Sequence, residues 1–285
     1  MNVGSRALSR RRALLCGLSL AALLAGSAAF AEPAPEKFAS PSVKAAHSTT
    51  RLLSAGAPGG GVYHAGLEIA LEPQTITYWR SPGEAGSPPQ FDFSASQNVA
   101  SVETLYPTPQ HIKEADSVVA GYDGTVVFPL RVTARDISAP VTLALTLNYA
   151  ECGKICLPAR ATLSLALPPA GISPFESVLA NADAATPKKL DDVGARKIFA
   201  LEKAKSDASK GKVWTLRYTG KGHASDVFVE APDPAFVDSA KGATANAFTL
   251  TLGPPCCGET ASGALRTTVT VVTDAGAIEA PLTLD

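Results

Sequence analysis

The sequence predicts a mainly β protein: an antiparallel β-sandwich, then a partly helical connector, then a second, smaller β domain. Three observations predict it. Apolar residues alternate with polar ones over residues 62–71, 141–149 and 161–167, which is the period of a half-buried strand. A helix-start pattern and a charged, Ala-rich stretch follow residue 169. Five short strand-like segments then crowd residues 211–285, a spacing typical of small sandwiches.

The chain opens on a targeting segment. Arg6, Arg10, Arg11 and Arg12 precede an apolar run, 13–30, that ends in Ala29-Phe30-Ala31, a small-x-small cleavage signal. Residues 1–31 therefore read as a signal peptide, with Ser9-Arg10-Arg11 leaving the Sec and twin-arginine routes open. Cleavage leaves 21 basic against 26 acidic side chains, a net charge of −5. That balance gives no electrostatic case for nucleic acid or for an anionic membrane surface, and no later run is apolar enough to span a bilayer. The expectation is an exported, soluble protein.

Residues 32–50, rich in Pro, Ala, Ser and Thr, read as a flexible leader. In residues 62–71, Tyr63, Ala65, Leu67, Ile69 and Leu71 form one face of a strand. Residues 75–80 are a β-prone run, and residues 81–90, with three prolines and two glycines, must be a loop. Residues 99–105 and 125–132 are further strands. The clearest hairpin pairs Val141, Leu143, Leu145, Leu147 and Tyr149 with Ala161, Leu163, Leu165 and Leu167, which places the intervening residues 150–160 in its connection. After it, Ser173-Pro174-Phe175-Glu176 fits an N-cap, N1 proline and capping-box glutamate, and residues 169–210 read as the connector. Strands resume at 213–218, 227–230, 248–252, 267–273 and 278–284. Trp79 and Trp214 sit in strand patterns and are expected in the cores.

Four cysteines remain after the signal peptide, in two tight pairs: Cys152 with Cys156, and Cys256 with Cys257. A bond closing the five-residue Cys152–Cys156 loop would contribute only about 2 kcal/mol by the chain-entropy model, little for a hairpin already closed. Gly153 gives the backbone freedom to close the loop, and Lys154 brings a positive charge that favours a thiolate. On these residues alone a redox pair stands level with the bland readings, a short structural bridge or two idle thiols. Cys256 and Cys257 lie in a Pro-rich turn. A vicinal bond there gains only about 1 kcal/mol of loop entropy, which leaves a labile vicinal disulfide, a soft-metal site, a second exchange pair or two incidental thiols. His47, His64, His111 and His223 lack metal-ligand spacing, and Met1 is the only methionine, so a thioether copper site is excluded. No Ser-His-Asp order or phosphate loop is present.

The stretch Tyr149-Ala150-Glu151-Cys152-Gly153-Lys154-Ile155-Cys156-Leu157-Pro158 resembles the cysteine loop of the N-terminal periplasmic domain of the thiol:disulfide interchange protein DsbD, and most closely its ScsB-like branch. Three further stretches fit in order: 77–89 (TYWRSPGEAGSPP) with Phe91-Asp92-Phe93, 98–107 (NVASVETLYP) and 121–132 (GYDGTVVFPLRV). DsbD itself has a longer gap between its cysteines. The resemblance covers residues 51–168, with the segment from 211 fitting only loosely.

It implies an immunoglobulin-like domain in a bacterial periplasm that relays reducing equivalents, a component of a thiol:disulfide oxidoreductase. Cys156 would form the mixed disulfides and Cys152 would resolve them. A cap loop would cover the pair near residues 111–122, with Tyr122 a candidate contact. No cofactor and no small-molecule substrate is implied. The partners would be a thioredoxin-like or membrane-embedded electron donor, expected on a separate chain because neither domain follows here, and oxidised client proteins of the envelope. The alternatives are a copper-tolerance or copper-binding protein using the cysteines as soft ligands, and an immunoglobulin-like binding module with structural disulfides.

Overall fold

Strict alternation produces the first sandwich. In the computed structural model, which describes residues 37–114, 117–203, 212–233, 235–253 and 263–285, one sheet runs in the order β1 (Val43–Lys44), β2 (Ser48–Ser54), β3 (Val62–Leu71), β9 (Thr125–Ala134) and β6 (Val99–Thr104). The facing sheet runs β11 (Cys156–Leu167), β10 (Val141–Cys152), β4 (Ile76–Tyr78), β8 (Ser117–Asp123) and β7 (Gln110–Glu114), with β5 (Gln90–Asp92) also pairing to β10. Every pairing in both sheets is antiparallel. Leu67, Phe128 and Leu130 from one sheet meet Leu143, Leu145 and Leu147 from the other, all fully buried. The result is the antiparallel β-sandwich the alternation predicts, with the immunoglobulin-like fold the resemblance implies.

The leader expectation fails within the described residues. Ala39 bridges to Leu53 and is buried, Ser40 Oγ accepts the Leu52 amide at 2.9 Å, and β2 begins at Ser48. Small residues suit this tight lamination against β2, a packing their composition does not announce. The 75–80 run is also shorter than expected, with only Ile76–Tyr78 in the ladder.

Two short helices follow, α1 (Glu176–Ala184) and α2 (Asp192–Ile198). Ser173 Oγ accepts the Phe175 amide at 3.0 Å and donates to the Ser54 carbonyl at 2.5 Å. It therefore ties the helix entry to β2, and the helix begins only at Glu176. Leu179 of α1 packs with Leu53 and Val127. Gly66 in β3 permits that docking: a Cβ there would stand 2.5 Å from a Leu179 methyl. The connector is not purely helical, because β12 (Lys188–Lys189) and β13 (Phe199–Lys203) already belong to the second sandwich.

That second sandwich has two four-stranded sheets. One is β12, β19 (Gly276–Leu284), β18 (Leu265–Thr273) and β15 (Ala224–Glu230); the other is β13, β14 (Val213–Tyr218), β17 (Ala247–Leu252) and β16 (Val237–Lys241). Trp214, Leu216, Leu250, Val269 and Val271 fill its core. Trp79 is buried as expected, packed edge-on against Phe228 of β15 with ring centroids 5.7 Å apart.

Candidate redox site at the hairpin tip

The β10–β11 ladder runs without interruption from Val141↔Leu167 to Cys152↔Cys156, so the two cysteines face each other across its last rung. Only residues 153–155 lie beyond, closed by a Gly153 N–H to Ile155 carbonyl bond of 3.1 Å. The sulfurs form a disulfide. Their surroundings differ sharply. Cys152 is 1% exposed, packed with Ile76, Tyr78 and Val119, whereas Cys156 is exposed beside the exposed Ile155. Of the two cysteines, only Cys156 is open to solvent.

Two polar side chains meet the bond. Tyr78 ends β4, whose neighbour β8 approaches closely because Gly121 lacks a side chain; a Cβ there would stand 2.5 Å from the Thr77 carbonyl. The Tyr78 hydroxyl lies 3.0 Å from Cys152 Sγ and 3.5 Å from Cys156 Sγ, and donates to Glu114 Oε2 at 2.8 Å. Glu114 ends β7, and its Oε1 lies 2.9 Å from Cys156 Sγ. Burial first, then the hydrogen bond to and charge of Glu114, push the Tyr78 phenol well above its ordinary range. It stays a protonated donor throughout the neutral range.

With the disulfide intact, neither sulfur carries a proton to give Glu114. Reduction supplies one, because a Cys156 thiol at this position can donate to the carboxylate. A carboxylate beside a thiolate also disfavours the thiolate by like-charge repulsion. The charge at the pair is thus acidic. Lys154, expected to favour the thiolate, is exposed and makes no hydrogen bond or ion pair to either sulfur among the described contacts. Glu114, Cys152 and Cys156 also offer three ligand atoms within 4.8 Å of one another. Only the reduced pair could coordinate, since a disulfide sulfur is not a thiolate.

Tyr122 is not at the site. Its hydroxyl donates to the Pro107 carbonyl at 2.8 Å and its ring packs edge-on against Phe128 in the sandwich core. On β8 the residue alternation turns it inward, and the contact expected of it falls to Tyr78 and Glu114. Cys256 and Cys257 lie outside the described residues, as do residues 1–31.

A family model for the thiol:disulfide interchange protein DsbD, N-terminal, matches residues 52–168. The likeness to that family is confined to this segment of the chain. Its boundaries enclose both sheets of the first sandwich from within β2 to the end of β11. Among solved structures, the N-terminal periplasmic domain of ScsB from Proteus mirabilis shares the fold, with a TM-score of 0.68 at 22% identity over 87% of this chain and 99% of that one. The likeness in fold therefore extends past the DsbD N-terminal segment into the second sandwich. No curated protein matches the chain.

Proposed function

We propose that the chain is a periplasmic thiol:disulfide exchange module that passes reducing equivalents from a thioredoxin-like donor to oxidised envelope proteins through Cys152 and Cys156. The observation that carries this reading is the asymmetry of one bond. Its outer sulfur is open to attack, and its inner sulfur is buried against a phenol that can stabilise it as a leaving group.

A donor thiolate attacks Cys156 Sγ, the Cys152–Cys156 bond breaks, and its electron pair leaves on Cys152 Sγ, within reach of the Tyr78 hydroxyl. The donor's second thiol then attacks its own mixed-disulfide sulfur and releases Cys156. The module now holds two thiols and the donor a disulfide, a transfer of two electrons and two protons. In the second half, Cys156 loses its proton to solvent and attacks a client disulfide as the thiolate. Cys152 then attacks Cys156 in the mixed disulfide, restoring the module's bond and leaving the client reduced.

The experiment is trapping. Reduced Cys152→Ser should accumulate a mixed disulfide when mixed with a thioredoxin-like protein in its disulfide form, on non-reducing electrophoresis, because Cys156 attacks the partner's disulfide and the module's resolving thiol is gone. Cys156→Ser should accumulate none. Equal trapping by both variants would sink the assignment. The ligand set of Glu114 and the two cysteines supports a second reading, soft-metal binding by the reduced pair. Tight Cu(I) binding by the reduced protein without any trapping would favour it.

A further inference from the structure

The two polar groups at the disulfide sit on strands that the second sandwich grips. Glu114 ends β7, a five-residue strand that, among the described residues, pairs only with β8. Along β7, Ile112 packs with the cluster around Cys152, and Glu114 shares that face. His111 points the other way by alternation, and there it meets β15. Its imidazole stacks on Phe228 with centroids 4.3 Å apart, and Nδ1 lies 3.1 Å from each carboxylate oxygen of Asp226.

Asp226 is placed for this contact by the strand itself. The register of β15 against β18 shifts between Ala224 and Asp226, and such bulges re-aim side chains. Asp226 Oδ1 also accepts the Val227 amide at 2.9 Å, which fixes the carboxylate. The far end of β15 holds the other carrier. Arg80, two residues beyond Tyr78, donates to the two Glu230 oxygens at 2.8 and 2.6 Å and to Glu279 of β19. Between these contacts Phe228 meets Trp79. One strand of the second sandwich thus touches both segments that bring oxygen atoms to the sulfurs.

We propose that β15 is the positioning strand of the exchange site: Asp226 and Phe228, by holding His111, fix β7 so that Glu114 stands against Cys156. None of the three touches a sulfur; they act through β7. The inference rests on the exchange reading of Cys152 and Cys156, yet its test needs no redox partner. Failure of the exchange reading and failure of this one are therefore separable.

The probe is iodoacetamide on the reduced full chain. Cys156 is followed alone in the tryptic peptide of residues 155–160, which lies between Lys154 and the cleavage after Arg160. Glu114→Gln removes the charge that disfavours the thiolate, so alkylation at neutral pH should rise about tenfold, the effect of roughly one pKa unit. His111→Ala should raise the rate in the same direction by about threefold, and should add nothing in the Glu114→Gln background, because both changes act on one carboxylate. The Cys156 reactivity profile against pH should move to lower pH in each variant, a change that general destabilisation does not produce in a chain shown to be folded by circular dichroism. The proposal falls if His111→Ala reacts at the parent rate, or if its effect multiplies with that of Glu114→Gln. Should His111→Ala not fold, Asp226→Asn, nearly the same size and partly exposed, is judged by the same two criteria.

Discussion

Removing a single oxygen atom, by Tyr78→Phe, isolates the chemistry assigned to the inner sulfur. The ring is 2% exposed and its apolar packing is kept by the substitution. What is lost is a hydroxyl 3.0 Å from Cys152 Sγ and 2.8 Å from Glu114. When a thiolate attacks Cys156, negative charge collects on a sulfur that is removed from water. A hydrogen bond to a charged group is worth about 1.5–3 kcal/mol, or roughly 10- to 150-fold in rate. The phenol has one proton and Glu114 competes for it, so the lower end applies. Reduction should slow by about tenfold. The assay is the pseudo-first-order reduction of the disulfide by excess dithiothreitol at neutral pH, quenched by alkylation and read by intact mass. A variant that melts like the parent and is reduced at the parent rate would refute the leaving-group role.

Tyr122→Phe is the matching control. It deprives the Pro107 carbonyl of its donor and should cost about 1 kcal/mol in urea unfolding, with the reduction rate unmoved. Alkaline stability should follow Tyr149. Burial above all, partly offset by the Ser48 hydrogen bond, raises its phenol from 10.0 to about 12. The neutral form is favoured in the fold, so this contribution is complete below pH 10 and is lost as pH rises toward 12. Melting temperatures across that window should fall, and less steeply for Tyr149→Phe. For Cys256 and Cys257 we expect a vicinal disulfide. Protein taken from an oxidising compartment and alkylated without reductant should carry no label there, and two labelled thiols would exclude the bond.

Legibility in the sequence followed the range of the interactions. The β10–β11 hairpin was plain because its apolar face repeats at every second residue from Val141 to Tyr149 and from Ala161 to Leu167. Both cysteines could be placed at its tip for the same reason. β7, Gln-His-Ile-Lys-Glu, has one apolar residue and no alternation, so nothing local marks it as a strand or Glu114 as a site residue. Tyr78 and Glu114 are 36 positions apart and meet only through the pairing of β4 and β7 with β8. Sequence proximity to the cysteine loop's expected cover pointed to Tyr122 instead, whose inward direction depends on the register of β8. The strands β1, β12 and β16 are short and polar or small in composition, and they form because the neighbouring strand offers unpaired backbone groups.

The disulfide closes the last rung of a ladder that is already complete. Twelve residue pairs join β10 to β11, and the cysteines are the terminal pair. Opening the bond frees three loop residues and leaves every other rung, with the Leu143, Leu145 and Leu147 face behind it, in place. Folding and redox state are thereby kept apart. The bond's reduction potential is set by the groups at the tip, because little conformational freedom is released when it breaks. A domain built this way can pass through oxidised and reduced forms repeatedly without baring its core to the proteases and sticky partners around it.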